Sequence, residues 1–227
     1  MKNKKLYIII AILITLLVYL DGKRVISYFL RNTGNINAVT HGPYYKMKAS
    51  MFEAMTRTEG NIVFLGDSIT DWVNFEDFFP FKITNRGIAG DTTTGVLARL
   101  DEIISLKPSK LFILIGTNDI SYGSSPEKIA GNIRKIISRV QENSQGTKIY
   151  VQSLFPRSDM DFSVVITAIN HELENISREL GCEYINLYPL LLSSEGLLDR
   201  KFTFDGLHLN GPAVSEWMKF VAPYVNE

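Results

Sequence analysis

The sequence lacks the side chains on which several classes of protein depend. Only one of its 227 residues is cysteine, Cys182, and only three are histidine. An internal disulfide framework is therefore excluded, and no metal site is expected. The chain also lacks an excess of charge of either sign, because 24 lysine and arginine residues balance 24 aspartate and glutamate residues. We therefore do not expect it to bind nucleic acid by electrostatic attraction.

A long apolar run lies near the N-terminus. It extends from Leu6 to Leu20, has no charged residue, and follows three lysines. The run is somewhat short for a full membrane span, but Val25 to Leu30 can continue the helix and the lysine side chains can extend to the interface. We predict that residues 1–30 form an uncleaved membrane anchor, a transmembrane helix that precedes the folded domain.

A cleaved secretory signal is the alternative for this segment. Such a signal normally carries small residues in an A-x-A-like pattern after the apolar run, whereas this chain has Val18-Tyr19-Leu20-Asp21-Gly22 there. The flanking charges give little indication of orientation, since Lys23, Arg24 and Arg31 nearly balance the N-terminal lysines. We expect the rest of the chain to face outward.

The remainder of the chain divides into a tether and one domain. Residues 31–45 mix Asn, Thr, Gly and Pro without periodicity, which is typical of a linker. Residues 46–227 are enough for a single domain with one hydrophobic core.

From Asn61 onward, short apolar segments alternate with longer amphipathic ones, a pattern typical of a parallel sheet covered by helices. Apolar stripes at helical spacing predict helices within residues 96–104, 129–140 and 165–180, and a last helix opens at Gly211-Pro212. We predict a three-layer α/β domain with a five-stranded parallel sheet in the order 2-1-3-4-5. The predicted strands are Asn61–Gly66, Lys82–Arg86, Lys110–Ile115, Lys148–Ser153 and Glu183–Leu187.

Four short motifs follow the ends of these strands. They are Gly66-Asp67-Ser68, Gly90, Gly116-Thr117-Asn118-Asp119 and, after the fifth strand, Asp205-Gly206-Leu207-His208. Open parallel sheets bind ligands at the carboxyl ends of their strands, near the point where the strand order reverses. Strands 2, 1 and 3 would be neighbours about 4.8 Å apart. We therefore expect Gly90 and Asn118 to flank Ser68 from opposite sides.

These residue types supply the groups that ester hydrolysis needs. The hydroxyl of Ser68 is a weak nucleophile until a base removes its proton, and His208 is the candidate base. Asp205, three residues earlier, can fix the tautomer of the imidazole. The backbone amides of Ser68 and Gly90 and the side-chain amide of Asn118 can stabilise the developing oxyanion. The sequence therefore predicts a serine hydrolase that needs neither a metal nor an organic cofactor.

Taken together, the motifs resemble the conserved blocks of the SGNH, or GDSL-type, esterases, and the resemblance extends over essentially the whole domain. The stretches NIVFLGDSIT, NRGIAGDTTTGVLARLDE and DGLHLN are most similar to the branch that includes platelet-activating factor acetylhydrolase subunits and bacterial acetylesterases. The resemblance implies a flavodoxin-like sandwich without a cofactor. It also implies Ser68 as nucleophile, Gly90 and Asn118 as oxyanion donors, Asp205 and His208 as the remaining catalytic pair, and a small acyl group, acetyl being expected.

One departure concerns the glycine that the family often has a few residues after the nucleophile. Thr70-Asp71-Trp72 stand there instead, which argues against a broad, lipase-like substrate range. Trp72, Phe75, Phe78 and Phe79 could line an acyl pocket. Aromatic residues at such spacing are more often part of the core, so we leave them outside the predicted site.

Each motif also has a purely structural interpretation. Asp67 and Ser68 both favour helix N-caps, and Asn118-Asp119 is a common turn sequence. We expect Asp67 and Asp119 to support their loops. The four motifs in combination indicate a hydrolase far more strongly than any one of them.

Three functional alternatives stay open. An acyltransferase or a lysophospholipase would use the same site, since an acyl-enzyme can react with acceptors other than water. A glycan-binding module could retain the fold without turnover, and the amides after the first strand could bind a phosphate or a flavin. The expected partners are a small acyl-ester substrate, on a carbohydrate or a lipid, and the membrane.

Overall fold

Five short strands form the centre of the domain. The computed structural model describes residues 42–55 and 59–227. All strand pairs are parallel and the order is β2-β1-β3-β4-β5, so the predicted sheet is confirmed, with every strand end within two residues of its predicted position. The strands are β1 Ile62–Gly66, β2 Ile83–Gly87, β3 Lys110–Leu114, β4 Lys148–Gln152 and β5 Glu183–Ile185.

Helices cover both sides of this sheet. Eight α-helices lie within the described ranges: α1 Pro43–Ala54, α2 Ser68–Asp71, α3 Thr93–Ala98, α4 Leu100–Ser105, α5 Thr117–Ser121, α6 Pro126–Asn143, α7 Ser163–Glu179 and α8 Gly211–Asn226. Short 3-10 turns lie at Phe75–Asp77, Tyr188–Leu191 and Arg200–Phe202.

The N-terminal predictions lie mostly outside the described residues. This applies to the membrane anchor expected at residues 1–30 and to most of the tether expected at residues 31–45. Helix α1 begins at Pro43, within the range expected for the tether. Across residues 42–55 and 59–227, no helix combines the length and the apolar character needed to cross a bilayer.

A row of aromatic rings fills one face of the sheet. Phe64, Phe112 and Tyr150 are paired across β1, β3 and β4, and their stacked rings have centroids 4.5 Å and 4.4 Å apart. Trp217 of α8 packs edge-on against Phe64 and donates a hydrogen bond of 2.7 Å to Gln152 Oε1. Burying such a ring and satisfying its N–H fastens α8 to this face.

The other face is covered by α3, α4, α6 and α7. These helices contact one another in sequence order. The right-handed crossover that parallel strands normally make puts them on the side opposite α8. The apolar stripe of α6 is fully buried. Alternation along each strand directs the neighbours of the aromatic row, such as Val63 and Ile113, toward these helices.

Glycines at the ends of β1 and β2 allow helix α2 to pack closely against both strands. A Cβ atom on Gly66 would lie 2.2 Å from Thr70 Oγ1 and 2.5 Å from the Leu114 carbonyl oxygen. A Cβ atom on Gly87 would lie 2.2 Å from the backbone nitrogen of Asp71. Helix α2 therefore lies directly against the ends of both strands, which fixes the position of its first residue, Ser68.

Candidate active site

Ser68 is the first residue of α2 and follows β1 after a single intervening residue. That residue, Asp67, caps the helix, and its Oδ1 accepts a hydrogen bond of 3.0 Å from the backbone N–H of Ile69. Ser68 is only 5% exposed. The turn therefore holds the hydroxyl at the carboxyl edge of the sheet, where the sequence places it.

His208 and Asp205 complete a continuous series of polar contacts with Ser68. Nε2 of His208 lies 3.0 Å from Oγ of Ser68, and Nδ1 of His208 lies 2.6 Å from Oδ2 of Asp205. A carboxylate can only accept a hydrogen bond, so Nδ1 carries the proton and Nε2 is left to accept from the hydroxyl. The three side chains are thus oriented for proton removal from Ser68.

The carboxylate of Asp205 is also held by the backbone of its own turn. Oδ1 accepts hydrogen bonds from the N–H groups of His208, at 2.8 Å, and Leu207, at 2.9 Å. Partial burial raises the pKa of Asp205, but the hydrogen bonds from the imidazole and from these two N–H groups outweigh that effect. The pKa of Asp205 therefore lies well below its usual range, and the group is ionised at neutral pH.

Gly206 allows this turn to pack against the loop that follows β4. Its φ angle is +84°, a conformation that favours glycine, and a Cβ atom there would lie 2.3 Å from the backbone nitrogen of Asp159. The Gly206 carbonyl accepts hydrogen bonds from Ser158 N, at 2.8 Å, and Asp159 N, at 3.3 Å. The loop after β4 therefore fixes the position of the turn that carries His208, and with it the position of the imidazole relative to Ser68.

Gly90 and Asn118 lie beyond the ends of β2 and β3, the two strands that flank β1. Gly90 has a φ angle of +79°, which explains why glycine occupies this position. Nδ2 of Asn118 donates a hydrogen bond of 2.9 Å to the carbonyl of Asp91, so the two loops are joined directly. A carboxamide nitrogen has two hydrogens, and within residues 42–55 and 59–227 the second has no hydrogen-bond partner.

Three buried carboxyl groups lie in the loops of the site. Burial, together with the nearby carboxyls of Asp91 and Asp119, raises the pKa of Asp67 to about 7. Burial also raises the pKa of Asp119 to about 6, although Asp119 accepts hydrogen bonds from Thr93 N and Oγ1 at 2.9 and 2.6 Å. For Asp91, burial raises the pKa in spite of the ion pair with Arg99 at 2.9 Å. Asp119 thus connects the α5 turn to the start of α3.

Trp72 contacts the site although it lies outside the residues predicted for it. Its ring centroid is 4.3 Å from that of His208 with a tilt of 33°, and the side chain is 62% exposed. Phe75 and Phe79 are buried in the core, as expected for an aromatic cluster, whereas Phe78 is partly exposed. Trp72 follows Ser68 by four residues, about one helical turn, so the two side chains are expected on the same side of α2. This spacing could have distinguished Trp72 from the three phenylalanines.

Arg157 is a second residue that the sequence did not indicate. It is 4% exposed, and its Nη1 donates to the carbonyl of Thr117 at 3.1 Å and to Ser121 Oγ at 2.8 Å. Its other nitrogens pair with Asp159. Arg157 therefore ties helix α5, which carries Asn118, to the loop that supports Gly206. Among the described residues, no three His, Cys, Asp or Glu side chains are arranged to hold a metal ion.

Comparison with known proteins shows that the chain is similar to a family of hydrolases over most of its length, and not only in these motifs. The GDSL-like lipase/acylhydrolase family matches residues 64–213, a span that includes all five predicted site residues. The platelet-activating factor acetylhydrolase IB subunit alpha2 of Gallus gallus is 29% identical to this chain over 171 residues, which are 71% of this chain and 74% of that protein.

Two solved structures share the fold. A GDSL-like lipase from Bacteroides thetaiotaomicron has a TM-score of 0.71 at 24% identity, and the match covers 83% of this chain and 98% of that one. A catalytic mutant of an acetylxylan esterase from Geobacillus stearothermophilus has a TM-score of 0.62 at 14% identity, over 76% of this chain and 96% of that one. From the family match, together with the fold, the chain belongs to the GDSL-like lipase/acylhydrolase family and is an ester hydrolase of the GDSL type.

Proposed function

We propose that Ser68, His208 and Asp205 are the catalytic residues of a serine esterase that removes small acyl groups, above all acetyl, through an acyl-enzyme. The observation that carries the proposal is the series of two contacts from Ser68 Oγ to His208 Nε2, at 3.0 Å, and from His208 Nδ1 to Asp205 Oδ2, at 2.6 Å. A nucleophile within reach of a base, and a base within reach of an orienting carboxylate, is the arrangement that serine hydrolysis requires.

In the first half of the reaction, Ser68 Oγ attacks the ester carbonyl while His208 Nε2 takes the hydroxyl proton. Asp205 stabilises the imidazolium and keeps Nδ1 protonated. The tetrahedral intermediate collapses when His208 returns the proton to the leaving alcohol, which leaves the acyl group on Ser68. In the second half, water loses a proton to His208, attacks the acyl carbon, and releases the carboxylic acid and the free serine.

The negative charge that develops on the carbonyl oxygen needs fixed donors. We assign this role to the backbone N–H groups of Ser68 and Gly90 and to the second hydrogen of the Asn118 amide. The hydrogen bond from Asn118 to the Asp91 carbonyl, at 2.9 Å, supports the assignment because it fixes the amide before substrate arrives. A preorganised donor of this kind contributes about 2.7–4 kcal/mol to the stability of the transition state.

An acetyl group is the acyl group that we propose, on a carbohydrate or lipid alcohol. The names of two relatives support it, since one is a platelet-activating factor acetylhydrolase and the other an acetylxylan esterase. The burial of Phe75 and Phe79 in the core supports it too, because neither ring is then available to line a long acyl pocket.

We also propose, from the sequence alone, that residues 1–30 anchor the protein in a membrane with the catalytic domain on the outer side. The apolar run from Leu6 to Leu20 and the preceding lysines support this location. The prediction is that the full chain stays in the membrane fraction after alkaline carbonate washing and is degraded by protease added outside intact cells. Release by the carbonate wash, or protection from the protease, would contradict the anchor or its orientation.

The catalytic assignment is tested with the purified full chain, a fluorophosphonate probe and nitrophenyl esters. We expect Ser68→Ala to lose labelling, and both Ser68→Ala and His208→Ala to lose turnover. The controls Ser163→Ala, at a half-buried position, and His171→Ala, at an exposed one, should keep both. Acetyl ester should be hydrolysed much faster than the eight-carbon ester. Labelling that persists in Ser68→Ala would reject the nucleophile, and a preference for eight carbons would reject the small acyl group.

A further inference from the structure

We infer that helix α1 positions the oxyanion donor Gly90 through the buried carboxylate of Asp71, so that Asp71, Tyr44 and Lys48 are positioning residues for the reaction. The oxyanion loop is defined here as residues 88–91. The inference rests on the proposed function, because it gives the N–H group of Gly90 a role in stabilising the oxyanion.

Asp71 contacts two other parts of the chain through its carboxylate. It ends α2, the helix that Ser68 begins, and its side chain is only 3% exposed. Oδ2 accepts a hydrogen bond of 2.9 Å from the backbone N–H of Ala89, the residue before Gly90. The same Oδ2 accepts a hydrogen bond of 2.6 Å from the Tyr44 hydroxyl, and Oδ1 lies 2.7 Å from Lys48 Nζ. One carboxylate thus joins the oxyanion loop to α2 and to α1.

The side chain of Asn85 joins the backbone of α2 to the end of β2, so neither can move independently of the other. Asn85 Nδ2 donates to the carbonyls of Thr70, at 2.8 Å, and Val73, at 2.9 Å, while its Oδ1 accepts from Gly87 N at 2.8 Å. A displacement of Asp71 would therefore be transmitted to the strand end from which the oxyanion loop begins.

Helix α1 also buries the first residue of the oxyanion loop. Ile88 is fully buried in a small cluster with Tyr45 and Phe52 of α1. The hydroxyl of Tyr45 donates a hydrogen bond of 2.8 Å to the carbonyl of Gly95, and the guanidinium of Arg86 lies 4.6 Å from the centroid of the Phe52 ring. The loop is thus held between α1 on one side and α2 on the other.

The two donors on α1 keep the carboxylate in its buried position. The hydrogen bond to Asp71, together with burial, raises the pKa of Tyr44 to about 12, so its hydroxyl stays a donor at working pH. Without Tyr44 and Lys48, Asp71 would be a buried charge with too few partners, and turning toward water would relieve it. That rotation breaks the hydrogen bond from Ala89 and moves the N–H group of Gly90. A misplacement of about 1 Å can lower the rate about a hundredfold.

The test compares the purified full chain with the variants Tyr44→Phe, Lys48→Met and the double variant. Lys46→Met is the matched control, since Lys46 is exposed on the same helix. We expect the double variant to hydrolyse nitrophenyl acetate with a kcat about tenfold lower and with KM within about twofold. Its affinity for a boronic acid that forms a tetrahedral adduct on serine should fall by the same factor. Lys46→Met should have the kcat of the parent chain. Lys48→Arg should keep most of the kcat that Lys48→Met loses.

A merely structural role for α1 would give a different result. If the double variant is folded, as judged by its circular dichroism and melting temperature, and keeps the parent kcat, the inference is wrong. A fall in kcat without the matching loss of boronic acid affinity also overturns it. Failure of the proposed function is separate, because it shows as turnover or fluorophosphonate labelling that survives Ser68→Ala.

Discussion

Oγ of Ser68 lies 3.0 Å from Nε2 of His208, although 140 positions separate the two residues in the chain. Ser68 is held by the sharp turn between β1 and α2, and His208 by a turn whose Gly206 packs on the loop after β4. The contact therefore depends on the whole sheet and on the loop at Ser158 and Asp159, and not on any local segment. We therefore expect mutations in that loop to lower activity by moving the imidazole.

Asp205→Asn is predicted to lower kcat about 10³- to 10⁴-fold with little change in KM. The amide oxygen of asparagine must still accept from the N–H groups of His208 and Leu207, so the NH₂ group faces Nδ1. Nδ1 then has to accept, the imidazole proton moves to Nε2, and Nε2 can no longer accept from Ser68. Steady-state kinetics with nitrophenyl acetate measure the effect.

Asp199→Asn is the control for this prediction. Asp199 also accepts a hydrogen bond from a backbone N–H two residues later, Lys201 N at 3.0 Å, but no imidazole adjoins it in the described contacts. We expect this variant to keep the parent kcat. Equal losses in the two variants would mean that Asp205 only stabilises its turn.

Asn118→Ala is predicted to lower kcat about 10²- to 10³-fold, the effect of removing one oxyanion donor. KM should change little, because the lost hydrogen bond forms mainly in the transition state. The same variant loses the hydrogen bond to the Asp91 carbonyl, so its melting temperature is measured alongside its kinetics. Ser121→Ala, on the same short helix, controls for a general loosening of α5. A kcat within threefold of the parent would remove Asn118 from the oxyanion site.

The sheet and the approximate site were predictable because both depend on local patterns. Short apolar segments between amphipathic stretches define buried parallel strands, and a motif at the end of each neighbouring strand must lie at one edge of the sheet. The sequence could therefore place Ser68 and Asn118 after two adjacent strands, and the strand order confirms that adjacency. The Asp205–His208 spacing, with a glycine between, likewise indicated a tight turn.

The supporting contacts could not be predicted because they join residues through tertiary packing. Nothing in the sequence pairs Asp71 with Ala89, 18 positions later, or with Tyr44, 27 positions earlier. Trp72 and Phe75 belong to one aromatic cluster in the sequence, yet Trp72 lies against His208 and Phe75 lies in the core. The one-turn spacing from Ser68 indicates the position of Trp72, whereas nothing in the sequence places Phe75, because the chain turns after α2.

The pH dependence of stability should change in Asp67→Asn. The pKa of Asp67 is raised by burial from 3.8 to about 7. Because the folded state holds the Asp67 proton more tightly than the unfolded state, this proton adds to the free energy of unfolding. The addition is complete below pH 3.8 and is lost as the pH rises toward 7. Asparagine does not titrate and can still accept the hydrogen bond from Ile69 N. The free energy of unfolding of the variant, relative to the parent chain, should therefore increase between pH 4 and pH 7.

The size of that increase is up to about 4 kcal/mol for a shift of this magnitude. Urea unfolding at a series of pH values measures it, with Glu195→Gln as an exposed control that should follow the parent curve. Asp91 and Asp119 titrate in both proteins, so some pH dependence persists in the variant. A constant difference between variant and parent across this range would show that Asp67 is ionised throughout.

Trp72→Ala is predicted to lower kcat about two- to fivefold, with Trp72→Phe intermediate. The indole ring lies against the imidazole of His208, at a centroid distance of 4.3 Å, and an aromatic face stabilises the imidazolium formed during attack by about 0.5–1 kcal/mol at an exposed site. Phenylalanine retains a weaker aromatic face, and alanine has none. Phe78→Ala, a partly exposed ring in the same segment, should leave kcat unchanged. If Trp72→Ala instead raises KM at constant kcat, the exposed ring serves the substrate and not the imidazole, and the predicted role is wrong.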